Sequence, residues 1–252
     1  MIEASPAQRI DAVAALLAEV WRTHKRLEAL PAAIRPQTLD EAHAVQDATL
    51  SRLGETVGGW KAGVDRPIRG AVPASRLLKS PASLQATHMH RRVVEGELAF
   101  LLRHDMPPAA RDYTRDEVAE AVSLCAAIEV VDSRYENQAA QPELDRIADL
   151  LGNGALVCGE PLHDWRRLDL ATIPVRLTID DHPIVDRRGG HPTGDPLHAC
   201  VLLVNALRRS GGLTAGQAVT AGTYTGAPVM AVGSEAVVAF DGVGGAAVRF
   251  TA

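Results

Sequence analysis

The sequence predicts an α+β protein with a mixed β-roll or pseudo-barrel core, an N-terminal helical region and peripheral helices. Helix-start patterns occur in residues 1–55, whereas short β-rich runs separated by glycine, proline and aspartate fill most of residues 56–252. The predicted strands do not alternate strictly with helices, which argues against a doubly wound parallel sheet. A linker is possible near residues 54–58, but nothing there requires two separate domains.

Three helices are predicted from the pattern Ser/Thr-x-x-Glu/Gln, in which two side chains satisfy backbone N–H groups at a helix start. The pattern occurs at residues 5–8, 38–41 and 114–117. The second helix should run to about Leu53 and end at Gly54, which can adopt the left-handed backbone of a helix end. The third should continue through "VAEAVSLCAA", residues 118–127.

Two further helical segments are predicted later in the chain. Asp195 precedes Pro196 and an apolar run, and is therefore expected to cap a helix that ends at Gly211. The polar segment "DSRYENQAAQPELDRIAD", residues 132–149, is expected to be a loop followed by a helix.

The predicted strands are short runs rich in β-branched and apolar residues, bounded by turn-forming residues. They are "VGGWKAG" (57–63), "VVEGELAFLL" (93–102), "AAIEVVDSRY" (126–135), "GALVCG" (154–159), "PVRLTIDD" (174–181), "QAVTAGTYTG" (217–226), "EAVVAFDG" (235–242) and "AAVRF" (246–250).

The composition excludes several classes of protein. The net charge is −5 and no basic patch stands out, so a nucleic-acid partner is not expected. The three cysteines lie far apart, which gives neither a disulfide framework nor a CxxC metal site. No apolar run approaches the roughly 18 residues of a membrane span, and the N-terminus lacks the pattern of a signal peptide. We therefore expect a cytoplasmic protein with no membrane partner.

Two glutamates lie one residue apart in the apolar run "VVEGELAFLL". In a strand, Glu95 and Glu97 point to the same face, although strands usually exclude glutamate and like charges repel. A third, Glu129, lies in the apolar run "AAIEVVDSRY". Buried carboxylates are costly unless they are paired or bind a metal, and oxygen ligands favour Mg²⁺ or Mn²⁺ over Zn²⁺. The spacing alone leaves two interpretations open, a metal site or the wet face of an edge strand.

Two other segments are candidates for a binding site. Lys61 lies between glycines in "GGWKAG", so a substrate can approach it closely, and near a metal it could neutralise a carboxylate or relay a proton. The segment "TAGTYTGAP", residues 220–228, offers backbone N–H groups and hydroxyls to an anion. Taken alone, each also fits an ordinary strand end or turn.

Taken together, these segments resemble the fumarylacetoacetate hydrolase superfamily, and in particular its 2-keto-4-pentenoate hydratase and 4-oxalocrotonate decarboxylase branch. The core of that family is a mixed β-roll or pseudo-barrel. The segments that carry the resemblance follow the order of the family and are "LDEAHAVQ" (39–46), "GWKAG" (59–63), "VEGELAFLL" (94–102), "AIEVVDSRY" (127–135), "IADLLGNGALVCG" (147–159), "GDPLHACVLLVNAL" (194–207) and "LTAGQAVTAGTYTG" (213–226).

The resemblance implies a function and a set of site residues. The metal ligands would be Glu95, Glu97 and Glu129, holding Mg²⁺ or Mn²⁺. The protein would be a hydratase that adds water to a small 2-hydroxy-2,4-dienoate or its 2-oxo tautomer, giving a 4-hydroxy-2-oxo acid. It would be a homo-oligomer, as members of the family are.

The same resemblance implies roles for five other residues. Lys61 and Asp132 would be catalytic. Arg134 would bind the substrate at the edge of the pocket. Thr225 and Gly226 would lie on the side of the substrate carboxylate.

One departure from the family affects the expected reaction. Many hydratases of this branch carry Asp-Met soon after the lysine strand, whereas this chain reads "GAVPASRLLKS", residues 70–80. The alternatives are therefore a 4-oxalocrotonate-type decarboxylase, or a C–C bond hydrolase, for which His43 could supply the base of a Glu–His pair. A ligand-binding β-domain without catalytic activity is the remaining alternative.

Overall fold

Two helices open the chain in the computed structural model, which describes residues 4–252. They are α1 (Pro6–Thr23) and α2 (Leu39–Leu53). At the start of α1 the Ser5 hydroxyl accepts the N–H of Gln8, and the Gln8 side chain accepts the N–H of Ser5. At the end of α2 Gly54 has a φ of 71°, a backbone conformation that glycine adopts at little cost. The predicted capping pattern at residues 5–8 and the predicted helix end at Gly54 are thus confirmed.

The start of α2 differs from its prediction in one contact. Thr38 accepts the N–H of Glu41, as expected of the cap. The Glu41 carboxylate does not return the bond to Thr38, and instead accepts the N–H of Gln37 and forms an ion pair of 2.6 Å with Arg9 of α1. These contacts lower the pKa of Glu41, the Arg9 hydrogen bond being the largest cause. Glu41, in the first turn of α2, therefore links the two N-terminal helices.

The third helix, α3 (Arg115–Ala121), is shorter than predicted. The chain becomes extended at Val122, and Val122–Val131 form the ten-residue strand β6. The prediction that the helix continues through residue 127 is wrong, because this run of small and apolar residues pairs with a strand on each side. Tertiary pairing here outweighs local helix propensity.

The two later helices are α4 (Glu143–Ala148) and α5 (Pro196–Leu207). As predicted, Asp195 caps α5 by accepting the N–H of His198 at 3.1 Å. The helix ends at Leu207 rather than at Gly211, because the Leu207 carbonyl is shared by the N–H groups of the following turn. The predicted loop and helix in residues 132–149 are confirmed by α4.

Strands occur in all eight predicted runs, and in four places that the sequence did not indicate. Within residues 4–252 the twelve strands are β1 (Val57–Ala62), β2 (Arg69–Pro73), β3 (Leu77–Lys79), β4 (Ala82–Gln85), β5 (Val93–Leu102), β6 (Val122–Val131), β7 (Asn153–Cys158), β8 (Pro174–Ile179), β9 (His182–Arg188), β10 (Ala218–Thr223), β11 (Glu235–Phe240) and β12 (Gly244–Thr251). The unpredicted strands β2, β3 and β4 are only three to five residues long, and β9 is mostly exposed.

The strands form two sheets. The larger has the order β2-β1-β10-β5-β6-β7-β3, in which β1 is parallel to β10 and β5 is antiparallel to both of its neighbours. The smaller has the order β4-β12-β11-β8-β9. Buried residues from both sheets, with those of α3 and α5, form the main hydrophobic cluster. The predicted α+β fold with a mixed β-rich core and peripheral helices is confirmed.

The N-terminal helices pack against residues from the rest of the chain. A second hydrophobic cluster joins Val13 and Leu17 of α1 with Ile68, Tyr135 and Ile147. The division into a helical region of residues 1–55 and a core of residues 56–252 remains a prediction. Among residues 4–252, no helix has the length and apolar character needed to cross a membrane.

Candidate metal centre

The three glutamates singled out in the sequence meet on adjacent strands of the larger sheet. Glu95 of β5 lies directly opposite Glu129 of β6, and Glu97 follows on the same face of β5. One carboxylate oxygen from each lies within 4.8 Å of the other two. Glu97 and Glu129 are 2% and 3% exposed, and Glu95 is half-buried. The solvated-edge interpretation is therefore wrong, because β5 is a central strand.

Burial and mutual repulsion act on this cluster together. Loss of water, followed by the charge of Glu129, raises the pKa of Glu95 to about 7. The same causes, with the charge of Glu95 added, raise the pKa of Glu97 well above its ordinary value. A divalent cation would offset both costs, and an all-oxygen donor set without cysteine or histidine fits Mg²⁺ or Mn²⁺. The residues present thus fit the metal that the resemblance implies.

Glu97 is oriented by the neighbouring strand β10. Its Oε2 accepts a hydrogen bond from the Thr220 hydroxyl and another, at 3.0 Å, from the N–H of Gly222. Gly222 has a φ of 118°, and a Cβ there would lie 2.8 Å from a methyl carbon of Val64. Neither Thr220 nor Gly222 was predicted individually as a site residue. The sequence feature that could indicate them is the alternation of hydroxyl-bearing and small residues in "TAGT", which by itself predicts only an anion-binding turn.

Lys61 of β1 reaches the glutamate cluster, as predicted. Its Nζ lies 2.6 Å from Oε1 of Glu129 and donates to the carbonyl of Leu151, also at 2.6 Å. Leu150 and Leu151 have φ values of 54° and 53°, which are unfavourable for residues other than glycine. The strained segment therefore supplies the carbonyl that fixes the lysine ammonium group.

Glycines next to these residues permit close packing of the strands. A Cβ at Gly59 would lie 2.6 Å from the carbonyl oxygen of Ala218 on β10. A Cβ at Gly96 would lie 2.7 Å from a methyl carbon of Val238 in the other sheet. The absence of side chains at these two positions lets β10 and the second sheet approach the strands that carry Lys61 and the glutamates.

The glutamates and Lys61 line one cleft of about 470 Å³, within the usual range for small-molecule sites. Its apolar walls include Val64, Val131 and Pro192. Two arginines, Arg91 and Arg146, also line the cleft. The arrangement can hold a cation at one place and an organic anion beside it.

Asp132 does not line this cleft. Side chains alternate along β6, so that Glu129 and Val131 face the cleft while Asp132 falls on the other side. There its carboxylate forms an ion pair of 2.6 Å with Arg26 and accepts the backbone N–H of His90. This placement does not favour the predicted catalytic role of Asp132, which remains a prediction.

Arg134 also lies outside the cleft. Its buried guanidinium pairs with Asp149, and it lies 4.6 Å over the ring of Trp21. The group is therefore already fully engaged in holding the loop after β6 to the end of α4. Its predicted role in substrate binding remains untested, and this geometry gives it no support.

Thr225 and Gly226 follow β10 but are not among the residues that line the cleft. The Thr225 hydroxyl accepts the N–H of Gly96 at 2.8 Å, and this hydrogen bond holds the turn after β10 against β5. Thr223 and Gly222, slightly earlier in the same segment, do line the cleft. The substrate-binding role predicted for Thr225 and Gly226 thus remains a prediction.

Comparisons with known proteins give two related hydratases. No family model matches the chain. A 2-hydroxyhexa-2,4-dienoate hydratase of Comamonas testosteroni is 29% identical over 171 residues, which span 67% of this chain and 64% of the hydratase. The 2-keto-4-pentenoate hydratase 1 of Dechloromonas aromatica (strain RCB) is 27% identical over 257 residues, which span 95% of this chain and 96% of that protein.

The structure also resembles a solved enzyme over its whole length. The 4-oxalocrotonate decarboxylase from Pseudomonas putida G7, complexed with magnesium and adipate, superposes with a TM-score of 0.84. It is 19% identical and the alignment covers 99% of this chain and 100% of the decarboxylase, a likeness that shows the fold. The chain is therefore similar in sequence to 2-keto-4-pentenoate hydratases, and it shares its fold with a 4-oxalocrotonate decarboxylase.

Proposed function

We propose that this protein is a metal-dependent hydro-lyase that adds water to a 2-hydroxy-2,4-dienoate, or its 2-oxo tautomer, to give a 4-hydroxy-2-oxo acid. The observation that carries the proposal is the meeting of three glutamates, two of them buried, with Lys61 in one cleft. The relation to two hydratases named for this type of substrate supports it.

Glu95, Glu97 and Glu129 would hold Mg²⁺ or Mn²⁺. When bound, such an ion supplies a Lewis acid that stabilises negative charge on the substrate's C2 oxygen. The structure supports the choice of ligands through the orientation of Glu97, because Thr220 and Gly222 occupy one of its oxygens and fix its position.

Lys61 would act on the substrate's charge and protons. Its ammonium group is held by the Leu151 carbonyl and the Glu129 carboxylate, so its position in the cleft is fixed before substrate binds. From there it can balance the substrate carboxylate or relay a proton to the dienoate carbon chain. The apolar side chains of Val64, Val131 and Pro192 would contact that carbon chain and limit the access of water.

The alternatives receive different support. A 4-oxalocrotonate-type decarboxylase would use the same metal site, and it is the second candidate because a decarboxylase shares the fold over the whole chain. A C–C hydrolase would require a histidine base in the cleft. His43 is not among the cleft residues, and burial, the largest cause, with the charge of Arg69 lowers its pKa to about 4. Homo-oligomeric assembly and cytoplasmic location remain predictions.

Metal titration and two substrate assays test the proposal. We expect Mn²⁺ to bind the purified protein. In its presence 2-hydroxypenta-2,4-dienoate should be consumed, which is measured as a loss of ultraviolet absorbance. Glu95→Ala should abolish Mn²⁺ binding and lower the rate by more than about 100-fold, since a metal contributes several kcal/mol to such a reaction. Glu160→Ala, an exposed glutamate outside the cleft, is the matched control.

CO₂ release from 4-oxalocrotonate, measured in parallel, separates the two candidate reactions. Release of CO₂ without consumption of the dienoate would contradict hydratase activity and show decarboxylase activity instead. Failure of Mn²⁺ and Mg²⁺ to bind, or unchanged binding in Glu95→Ala, would contradict the metal site itself.

A further inference from the structure

Two arginines in the cleft lack an acidic partner. Arg91 lies just before β5 and is exposed, and Arg146 lies on α4 and is half-buried. Across the described part of the chain, no carboxylate comes within 4.0 Å of either guanidinium group. Glu143, an acid on the same helix as Arg146, pairs instead with Arg66 at 2.6 Å.

The environment of Arg146 distinguishes it from ordinary surface arginines. Its Nε is buried and has no hydrogen-bond partner. A buried donor without an acceptor is destabilising, and more so when it is charged. The two fully buried arginines, Arg9 and Arg134, do have carboxylate partners, Glu41 and Asp149. No carboxylate of residues 4–252 pairs with Arg146, so the terminal nitrogens of its guanidinium can bind an acceptor that a ligand supplies.

The charges in the cleft also call for an additional anion. Three glutamates face three cationic side chains, those of Lys61, Arg91 and Arg146. A divalent cation at the glutamates would therefore leave an excess of two positive charges when all six side chains are ionised. A substrate with a single carboxylate would neutralise one of them, and a substrate with two carboxylates would neutralise both.

We propose that the substrate carries a second carboxylate at the end remote from its 2-oxo acid group, and that Arg91 and Arg146 bind this carboxylate. The inference rests on the proposed function, in which the 2-oxo acid end lies at the glutamate cluster. The second carboxylate would accept hydrogen bonds from the terminal nitrogens of Arg146, which has no carboxylate partner among residues 4–252. Guanidinium groups are well suited to it, since they bind carboxylates with two parallel hydrogen bonds.

This assignment also bears on the reaction. Decarboxylation would convert the remote carboxylate into neutral CO₂, whereas hydration leaves it intact and adds the elements of water to a carbon–carbon double bond. Two arginines bind the charged carboxylate more strongly than the nearly neutral leaving CO₂, and so raise the barrier to its loss. The geometry therefore favours hydration of a dicarboxylate over its decarboxylation.

A matched pair of ligands tests the proposal by binding rather than by turnover. 2-Oxoadipate and 2-oxohexanoate share a six-carbon skeleton and a 2-oxo acid end, and differ only in the remote carboxylate. With Mn²⁺-loaded protein in a calorimeter, we expect 2-oxoadipate to bind at least about tenfold more tightly, as charge-assisted hydrogen bonds predict. Arg91→Gln and Arg146→Gln should each remove most of this preference and leave the affinities for 2-oxohexanoate and Mn²⁺ within about twofold.

Arg209→Gln, an exposed arginine outside the cleft, makes the same change of charge and should leave all affinities unaltered. Because Arg91 is exposed, its variant provides the test even if Arg146→Gln does not fold. Equal affinity of the unaltered protein for the two ligands would overturn the inference, and so would variants that weaken both ligands equally. Failure of Mn²⁺ to bind would overturn the proposed function, and the inference with it.

Discussion

The Thr220 hydroxyl is the single group that most directly fixes Glu97, because it donates to the same carboxylate oxygen that accepts the N–H of Gly222. Thr220→Val removes this hydroxyl with little change in shape. We expect Mn²⁺ affinity to fall about 10–100-fold, since groups that orient metal ligands typically have effects of this size. Calorimetric titration of both proteins with Mn²⁺ measures the change.

Thr178→Val on β8 of the smaller sheet is the control for the same substitution away from the cleft. It should leave the Mn²⁺ affinity unchanged. If Thr220→Val binds Mn²⁺ as tightly as the unaltered protein, then the hydroxyl does not orient a metal ligand, and its bond to Glu97 is only structural.

At the same scale, alternation along strands explains which site residues the sequence could predict. Glu95 and Glu97 are two apart, and Glu129 lies in a strand that the apolar pattern also indicated, so their convergence follows from strand geometry. Asp132 lies three residues beyond Glu129 and therefore on the opposite face. The family resemblance, from which its catalytic role is predicted, does not indicate on which face it lies. The contact of Lys61 with the Leu151 carbonyl depends on a left-handed backbone at two leucines, for which no sequence pattern exists.

At the scale of elements, α2 is joined to the sheet through one buried side chain. Gln46 is fully buried, and its amide donates to the carbonyls of Arg69 and Ile147 while its oxygen accepts the N–H of Ala71. It thereby holds β2, whose Gly70 lies opposite Lys61, to both α2 and α4. Gln46→Met should lower the free energy of unfolding by about 2–4 kcal/mol, because three backbone groups lose their partner. Urea denaturation measures this loss.

Gln85→Met, an exposed glutamine at the end of β4, is the matched control and should change the stability by less than about 0.5 kcal/mol. A loss below about 1 kcal/mol in Gln46→Met would indicate that water or backbone rearrangement replaces the three bonds, contrary to the role assigned here.

The elements that the sequence predicted are those with a local cause. Helix caps are made by side chains within a few residues, so the starts of α1, α3 and α5 were found correctly. The long apolar runs were found as strands for the same reason. The boundary between α3 and β6 was missed, because it depends on pairing with β5 and β7 rather than on residues 118–127 themselves. Short strands such as β3 exist only through a distant partner, here β7.

At the scale of the whole molecule, the glutamate cluster couples stability to pH and, if it holds the proposed cation, to metal binding. The pKa of Glu95 is raised to about 7 in the folded, metal-free protein, whereas an unfolded glutamate titrates near its ordinary value of 4.5. The folded state therefore binds more protons than the unfolded state between these values. The stability that the raised pKa of Glu95 contributes is fully present below about pH 4.5 and is lost as the pH rises through about 7. A cation at the proposed site would reverse this dependence, because only ionised carboxylates act as metal ligands.

We therefore expect the metal-free protein to lose about 2–3 kcal/mol of unfolding free energy between pH 5 and pH 8 through Glu95, the amount that a shift of this size implies. Glu95→Gln keeps a neutral side chain of the same shape at every pH, and so should lack this loss. Urea denaturation of both proteins at the two pH values isolates the effect as their difference. Saturating Mn²⁺ at pH 8 should restore the stability of the unaltered protein but not that of Glu95→Gln. Parallel pH profiles for the two proteins, or equal stabilisation of both by Mn²⁺, would mean that Glu95 neither titrates as described nor binds the cation.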